Sequence, residues 1–403
     1  MLKKRFQINI QYAMILCLLF LTAINFDAKF FYFAFGAAIV TMFFLRRIKM
    51  NAVSVVYLAL GLLMGAFHAS RDLMSALRPL AFFLVYLVGY NIPRSFLARK
   101  DGKKEQDVTY QLLVTVALGS FAHLMLNFLL NMGNDLGRNT VDIWSGEIMA
   151  ATGQAALGCI MMGLGAAMVI QPDKKRSRLF GVIVIAGMLL YNLTLAGRTL
   201  LVILLICLAV GSLYAAAKSG RSTTKRLKIV IRISILALVL LTAYLLNIGG
   251  VRGFVEDSNL YQRFFEDAEL GISETGRWAN RVLYLKKMLE YPFGGLHMRE
   301  RFGYAHDLLL DAYDEFGILA LLLLLLAVAD GCRQLYLFCK NEDHKLSYRV
   351  ALLCGYTAIL LEFCVEPIFA GMPWLFVCYS LINAALACTN RAAKVERQRM
   401  MDQ

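Results

Sequence analysis

Apolar runs long enough to cross a bilayer recur from one end of this chain to the other, and no other feature restricts its fold as much. A membrane helix needs roughly 17–25 predominantly apolar residues. Such stretches lie at 8–26, 29–45, 51–68, 74–91, 109–131, 149–170, 179–196, 199–217, 229–248, 316–332, 350–369 and 373–389. A lipid-exposed segment must satisfy its backbone polar groups internally, so these runs are expected to be helical. The expectation is an all-α polytopic integral membrane protein, with about twelve transmembrane helices in a single transmembrane domain over residues 1–403. Composition agrees, with 59% hydrophobic residues, 17% charged and a mean hydropathy of +0.60. The joints at 27–28 and 197–198 are so short that the helices they join must form antiparallel hairpins.

A net charge of +14 would suit a nucleic-acid partner, but its distribution argues against one. With the N-terminus placed inside, every basic cluster falls on the same side. These clusters are Lys3 to Arg5, Arg46 to Lys49, Arg94 to Lys104, Lys174 to Arg176, Lys218 to Arg232, Arg333 to Arg349 and Arg391 to Arg399. About 29 of the 42 basic residues then lie inside, against about 9 of the 28 acidic ones. That asymmetry is the positive-inside rule, and it predicts a cell-membrane protein with both termini cytoplasmic. The first apolar segment lacks a small-residue cleavage site and is read as a retained helix.

The nine cysteines fall within the helices or on the predicted inner side, which suggests packing residues and no disulfide framework. Residues 249–315 form the one long external loop. It carries Phe254, Tyr261, Phe264, Phe265, Trp278, Tyr284, Tyr291 and Phe302, and so is expected to hold short helices on the membrane face. A helical stripe runs through Trp278, Arg281, Val282, Leu285 and Met288.

The polar residues of the external side are the candidates for chemistry. Arg198 stands in Ala196-Gly197-Arg198-Thr199 between two apolar helices, where a guanidinium costs roughly 2.5–3.5 kcal/mol and calls for an anionic partner. That partner is either a carboxylate such as Glu362 or Glu366, or a phosphate, whose oxygens match the planar fork. Arg277 lies in the large loop, Arg71 and Arg78 flank the outer ends of the third and fourth helices beside His68, and Arg138 follows the fifth helix. His306 opens Tyr304-Ala305-His306-Asp307-Leu308-Leu309-Leu310-Asp311-Ala312-Tyr313-Asp314-Glu315-Phe316-Gly317, against the apolar run Ile318 to Ala327. Asp307 is an expected helix N-cap. An imidazole at the mouth of a membrane helix, beside arginines, suits acid–base work near neutral pH. Asp311, Asp314 and Glu315 follow in the same segment, either as ligand contacts or as ordinary interface carboxylates.

Together these residues resemble the O-antigen polymerase and O-antigen ligase superfamily of bacterial polysaccharide assembly. The resemblance rests on the helix number, the external loop before the tenth helix, the Gly197-Arg198-Thr199 turn, and Thr275-Gly276-Arg277-Trp278. It also rests on Tyr291-Pro292-Phe293-Gly294-Gly295 and on the His306 to Gly317 segment. The family pattern has Asn after the histidine, where this chain has Asp307. The resemblance implies an inverting membrane glycosyltransferase that uses an undecaprenyl-pyrophosphate-linked oligosaccharide donor and a glycan acceptor, with a chain-length regulator as a further partner. Arg198 and Arg277 would stabilise the leaving pyrophosphate in place of a metal, with no cofactor, while His306 orients or deprotonates the acceptor hydroxyl. Arg71, Arg78, Arg138, Asp307 and Asp311 would contact substrate. Polymerase and ligase differ only in acceptor, and the reading leans to polymerase.

Two other classes compete. A lipid-linked sugar transporter would explain the helices and buried charges, with Glu362 and Glu366 one turn apart as its best feature, but no internal repeat supports it. An intramembrane protease would need a Ser–His pair, for which Ser145 is the weak candidate.

Overall fold

A computed structural model describes residues 2–45, 47–69, 72–95, 104–133, 139–195, 197–218, 242–258, 260–262, 276–295 and 305–402. The chain folds into α1 (Leu2–Ala23), α2 (Phe30–Phe44), α3 (Ala52–His68), α4 (Leu73–Leu77), α5 (Leu80–Ser95) and α6 (Lys104–Leu130). A small hairpin, β1 (Asn139–Val141) and β2 (Ile148–Ala150), precedes α7 (Ala151–Ile170), α8 (Lys175–Leu195) and α9 (Thr199–Lys218). Two short helices follow, α10 (Val251–Glu256) and α11 (Gly276–Lys287). The chain then completes α12 (Leu308–Lys340), α13 (Leu346–Phe363), α14 (Ile368–Gly371) and α15 (Pro373–Met401).

Every predicted span except 229–248 lies mostly in helix, and residues 229–241 of that span lie outside the described residues. Seven described helical stretches are long and apolar enough to cross a membrane: Leu73–Pro93, Asp107–Leu130, α7, α8, α9, α12 and α13. The apolar parts of α1, α2 and α3 are shorter, at 10–17 residues. The protein is thus a helical, membrane-embedded molecule.

Local chemistry sets the ends of these helices. Asn51 caps α3 through a reciprocal capping box with Ser54, and Asp72 caps α4 by accepting from Ser75 N. Pro79 separates α4 from α5, and Pro373 occupies the first turn of α15, where its missing N–H costs nothing.

Burial divides the helices into two classes. The spanning window of α7 is 89% buried, whereas those of α8 and α9 are 33% buried. The first half of α15 is enclosed on all sides, from Trp374 through Cys388, and packs most closely on α5. Polar residues of α15 find partners inside: Asn383 Nδ2 donates to Tyr57 Oη (3.2 Å), and Tyr356 Oη donates to Tyr379 Oη (2.7 Å). Small residues bring the central axes together. A Cβ at Gly163 would lie 2.6 Å from the Cys354 carbonyl of α13, and one at Gly89 would lie 2.4 Å from the Leu381 carbonyl of α15.

The hairpin departs from a purely helical expectation. Thr140 pairs with Met149 in antiparallel register, and the turn closes when Asp142 N donates to the Glu147 carbonyl (2.8 Å). Trp144 Nε1 donates to the Ile24 carbonyl (2.9 Å), which fixes the hairpin over the end of α1. The same end of the bundle carries the C-termini of α3, α8 and α13 and the N-termini of α2, α7, α9, α12 and α15.

Candidate functional site

The N-terminus of α12 is built by two aspartates that bond to backbone. Asp307 Oδ1 accepts from Leu309 N (3.0 Å) and Leu310 N (3.2 Å), so the expected N-cap is present. One turn later, buried Asp311 reaches back over the cap. Its Oδ1 accepts from Ala305 N (2.7 Å) and its Oδ2 from Asp307 N (3.1 Å). These two N–H groups flank His306, whose φ is 58°. The left-handed region is unfavourable for a histidine and persists only where surrounding contacts enforce it. Asp311 supplies that enforcement from the α12 side.

Arg281 supplies it from the other side. Its Nη2 donates to the His306 carbonyl (3.0 Å) and also to the Cys364 carbonyl just beyond α13. Both acceptors are carbonyls, so neither neutralises the guanidinium charge. Its Nε is buried and makes no hydrogen bond among the described residues. Sequence reasoning placed Arg281 in an apolar stripe and gave it no role. The signal was available, because an arginine interrupting the buried face of an amphipathic helix needs acceptors. The face itself differs from the expected one: Leu285 is 57% exposed, while Tyr284 is buried and donates to Asp314 Oδ2 (3.4 Å).

The two stretches that carry the family resemblance near the end of the loop meet here. Gly295 N donates to the Tyr313 carbonyl (3.0 Å), Tyr313 Oη donates to the Tyr291 carbonyl, and Ile318 N donates to the Phe293 carbonyl (2.9 Å). The last bond exists because Gly317 breaks the helix, with φ 83° and ψ −177°, conformations essentially reserved for glycine. The span expected at 316–332 thus continues a helix that begins at Leu308, after the expected Asp307 cap, and its first two turns form a separate limb above the kink.

A cavity of about 210 Å³ opens beside this limb. Arg78, His68, Ser75 and Glu315 line it together with Phe82 and Phe369. The Arg78 guanidinium also stacks over the Phe31 ring, 5.1 Å from its centroid. His68 packs edge-on against Phe316, with ring centroids 5.4 Å apart.

The other expected site residues separate into three groups. Arg198 is half-buried in the α8–α9 turn, where Gly197 packs beside Asn192 and the first residue of α7. Arg277 opens α11 one helical turn before Arg281, and its side chain lies outside the described residues. Arg71 and Arg138 lie outside the described residues altogether. The structure thus joins His306, Asp307 and Asp311 in a single turn and sets Arg78 in the adjoining cavity.

A second buried polar network lies under the hairpin. His123 Nε2 and Asp142 Oδ1 are 2.6 Å apart, and Asn127 Nδ2 donates to the same oxygen (3.1 Å). Ser145 Oγ donates to Asp142 Oδ2 (3.0 Å). Burial alone would raise the Asp142 carboxyl, but the hydrogen bonds from His123, Ser145 and Asn127 outweigh it and hold the group well below the usual carboxylate range. Ser145 is therefore bonded to the carboxylate and not to the imidazole, which is not the pairing a serine nucleophile requires. Glu362 and Glu366, the transporter candidates, are buried at the end of α13. No protein-family model matches the chain, and no curated protein does either.

Proposed function

We propose that this chain is a membrane glycosyltransferase of the polysaccharide polymerase type, acting on the external face of the cell membrane. The observation that carries the reading is the His306 turn: a histidine in a left-handed backbone conformation, held by a buried carboxylate on one side and a guanidinium on the other. Strain of this kind costs about 1–3 kcal/mol and is concentrated at functional sites.

In the reaction, a hydroxyl of the acceptor glycan attacks the anomeric carbon of an undecaprenyl-pyrophosphate-linked oligosaccharide. The new C–O bond forms as the bond to pyrophosphate breaks, with inversion at that carbon. His306 takes the hydroxyl proton. Arg198 and Arg277 stabilise the charge that develops on the leaving pyrophosphate, so the reaction needs no metal. About twelve crossings, with both termini cytoplasmic, put the hairpin, α11 and the His306 turn outside. The ligase alternative keeps these roles and changes only the acceptor, to a lipid core or wall component. A chain-length regulator is a natural partner of the polymerase form. The transporter reading retains one supporting observation, the burial of Glu362 and Glu366.

The test is glycan assembly in a deletion strain complemented with wild type, His306→Ala or Arg198→Ala, each matched for membrane expression. The expected result is that single lipid-linked repeats accumulate in the outer leaflet and are not extended. Long chains left on the lipid carrier would identify a ligase, repeats trapped in the inner leaflet a transporter. Normal glycan in both mutants would remove His306 and Arg198 from the mechanism.

A further inference from the structure

The cavity beside α12 has a donor and acceptor pattern that selects among the ligands such a site could take. Arg78 offers only donors. The hydroxyl proton of Ser75 is spent on Asp72 Oδ2 (2.6 Å), so Ser75 can offer the ligand only lone pairs. Glu315, 6% exposed, adds an acceptor-only carboxylate when ionised. Asp72 also accepts from Ser75 N (2.8 Å), which holds Ser75 in this orientation.

A phosphate brings only acceptors and negative charge. It would satisfy Arg78, but it would face the Ser75 lone pairs and the Glu315 carboxylate. A polyhydroxylated ring brings donors and acceptors together and no charge, and so can accept from Arg78 while it donates to Ser75 and Glu315. The apolar walls suit it as well, because Phe82 and Phe369 present aromatic surface to the C–H faces of a ring. Size agrees: about 210 Å³ is below the roughly 300–1,000 Å³ of pockets for drug-sized ligands, which leaves room for one sugar ring and not for an extended oligosaccharide.

We infer that the cavity lined by Arg78, His68, Ser75 and Glu315 is a binding subsite for a single neutral sugar ring. It lies along the helix limb that carries His306: Glu315 is eight residues beyond Asp307, about 12 Å along a helix axis. That spacing places the bound ring beside the reacting centre and not in it, as an acceptor sugar whose neighbouring unit reaches His306. The subsite's part in a reaction rests on the transferase reading, but binding itself does not.

The experiment is saturation-transfer difference NMR on the full chain in lipid nanodiscs. The probes are the methyl glycosides of glucose, galactose and N-acetylglucosamine, with inorganic pyrophosphate as competitor. The expected result is saturation of the ring protons of at least one glycoside, reduced at least fivefold by Glu315→Gln and by Arg78→Gln, and unaffected by pyrophosphate. Arg78 is exposed, so its variant tests binding even where the buried Glu315→Gln variant fails to fold. Three results would each overturn the subsite: no glycoside saturated, unchanged signals in Arg78→Gln, or displacement of the sugar by pyrophosphate. His306→Ala separates the two readings, because it keeps the saturation signal while losing transfer. A wild-type protein that binds glycosides through Arg78 yet never transfers them would keep the subsite and sink the transferase.

Discussion

At the scale of residues, the arrangement that matters most is a histidine whose backbone is held by other side chains. Asp311 accepts the N–H groups on both sides of His306, and hydrogen bonds to a charged group contribute about 1.5–3 kcal/mol each. Asp311→Asn replaces one acceptor with a donor and removes the charge, so the turn should relax while the imidazole stays intact. If His306 works in catalysis, kcat should fall about tenfold to a hundredfold, since each 1.36 kcal/mol of barrier is tenfold in rate. KM should stay within about twofold; a KM effect with normal kcat would show that Asp311 contacts substrate. A second residue-level prediction concerns His344, in the loop between α12 and α13. Burial pushes its imidazole down to about 4, from an ordinary 6.5, with Asp343 opposing and Arg349 and Arg397 reinforcing the shift. The unfolded chain therefore takes up a proton in a range where the folded protein does not. The stabilisation is complete above pH 6.5 and is lost as pH falls towards 4. Thermal unfolding across that range should show His344→Leu with a flatter pH dependence than wild type.

At the scale of elements, α12 is the piece on which the site depends. Its lower limb is an ordinary apolar helix, but Gly317 turns the upper limb so that Ile318 N reaches the Phe293 carbonyl. A Cβ at this position would lie 2.7 Å from that carbonyl oxygen, and the backbone conformation would be strained for any other residue. Gly317→Ala is expected to cost about 1–3 kcal/mol, read as a drop of a few degrees in the unfolding midpoint of the purified protein. An unchanged midpoint would mean that the docked 291–295 turn is not what holds the limb. The start of α12 was only partly legible in the sequence. Asp307 announced its cap, but the bilayer-length apolar run starts only at residue 316, and Asp311, Asp314 and Glu315 read equally as ligand contacts or as interface carboxylates. They are buried in the first two turns, where backbone N–H groups donate to Asp311 and Tyr284 donates to Asp314 Oδ2. The face of α11 was misjudged for a related reason. Leu285 fits an apolar stripe, but Tyr284 is what the Asp314 carboxylate selects.

At the scale of the whole molecule, the orientation can be tested directly. With exposed Cys17, Cys332 and Cys364 replaced by alanine, Glu147→Cys in the hairpin turn should react with a membrane-impermeant maleimide in intact cells. Glu342→Cys, in the α12–α13 loop, should react only after permeabilisation. The reverse pattern would put the His306 turn in the cytoplasm and rule out an external glycan substrate. By itself the sequence determined what depends on local solvation: which segments are apolar enough for lipid, which side the basic clusters favour, and the aspartate that starts α12. Only the tertiary structure decided which of those helices meet lipid and which meet protein. Lipid tails are as apolar as leucine, so α7 and α8 are nearly equal in hydropathy although one is enclosed and the other exposed. It alone brought Arg281 to His306, 25 residues away, and Arg78 to the cavity that Glu315 lines. Contacts over such separations follow from how helices pack, and no local pattern of residues encodes them.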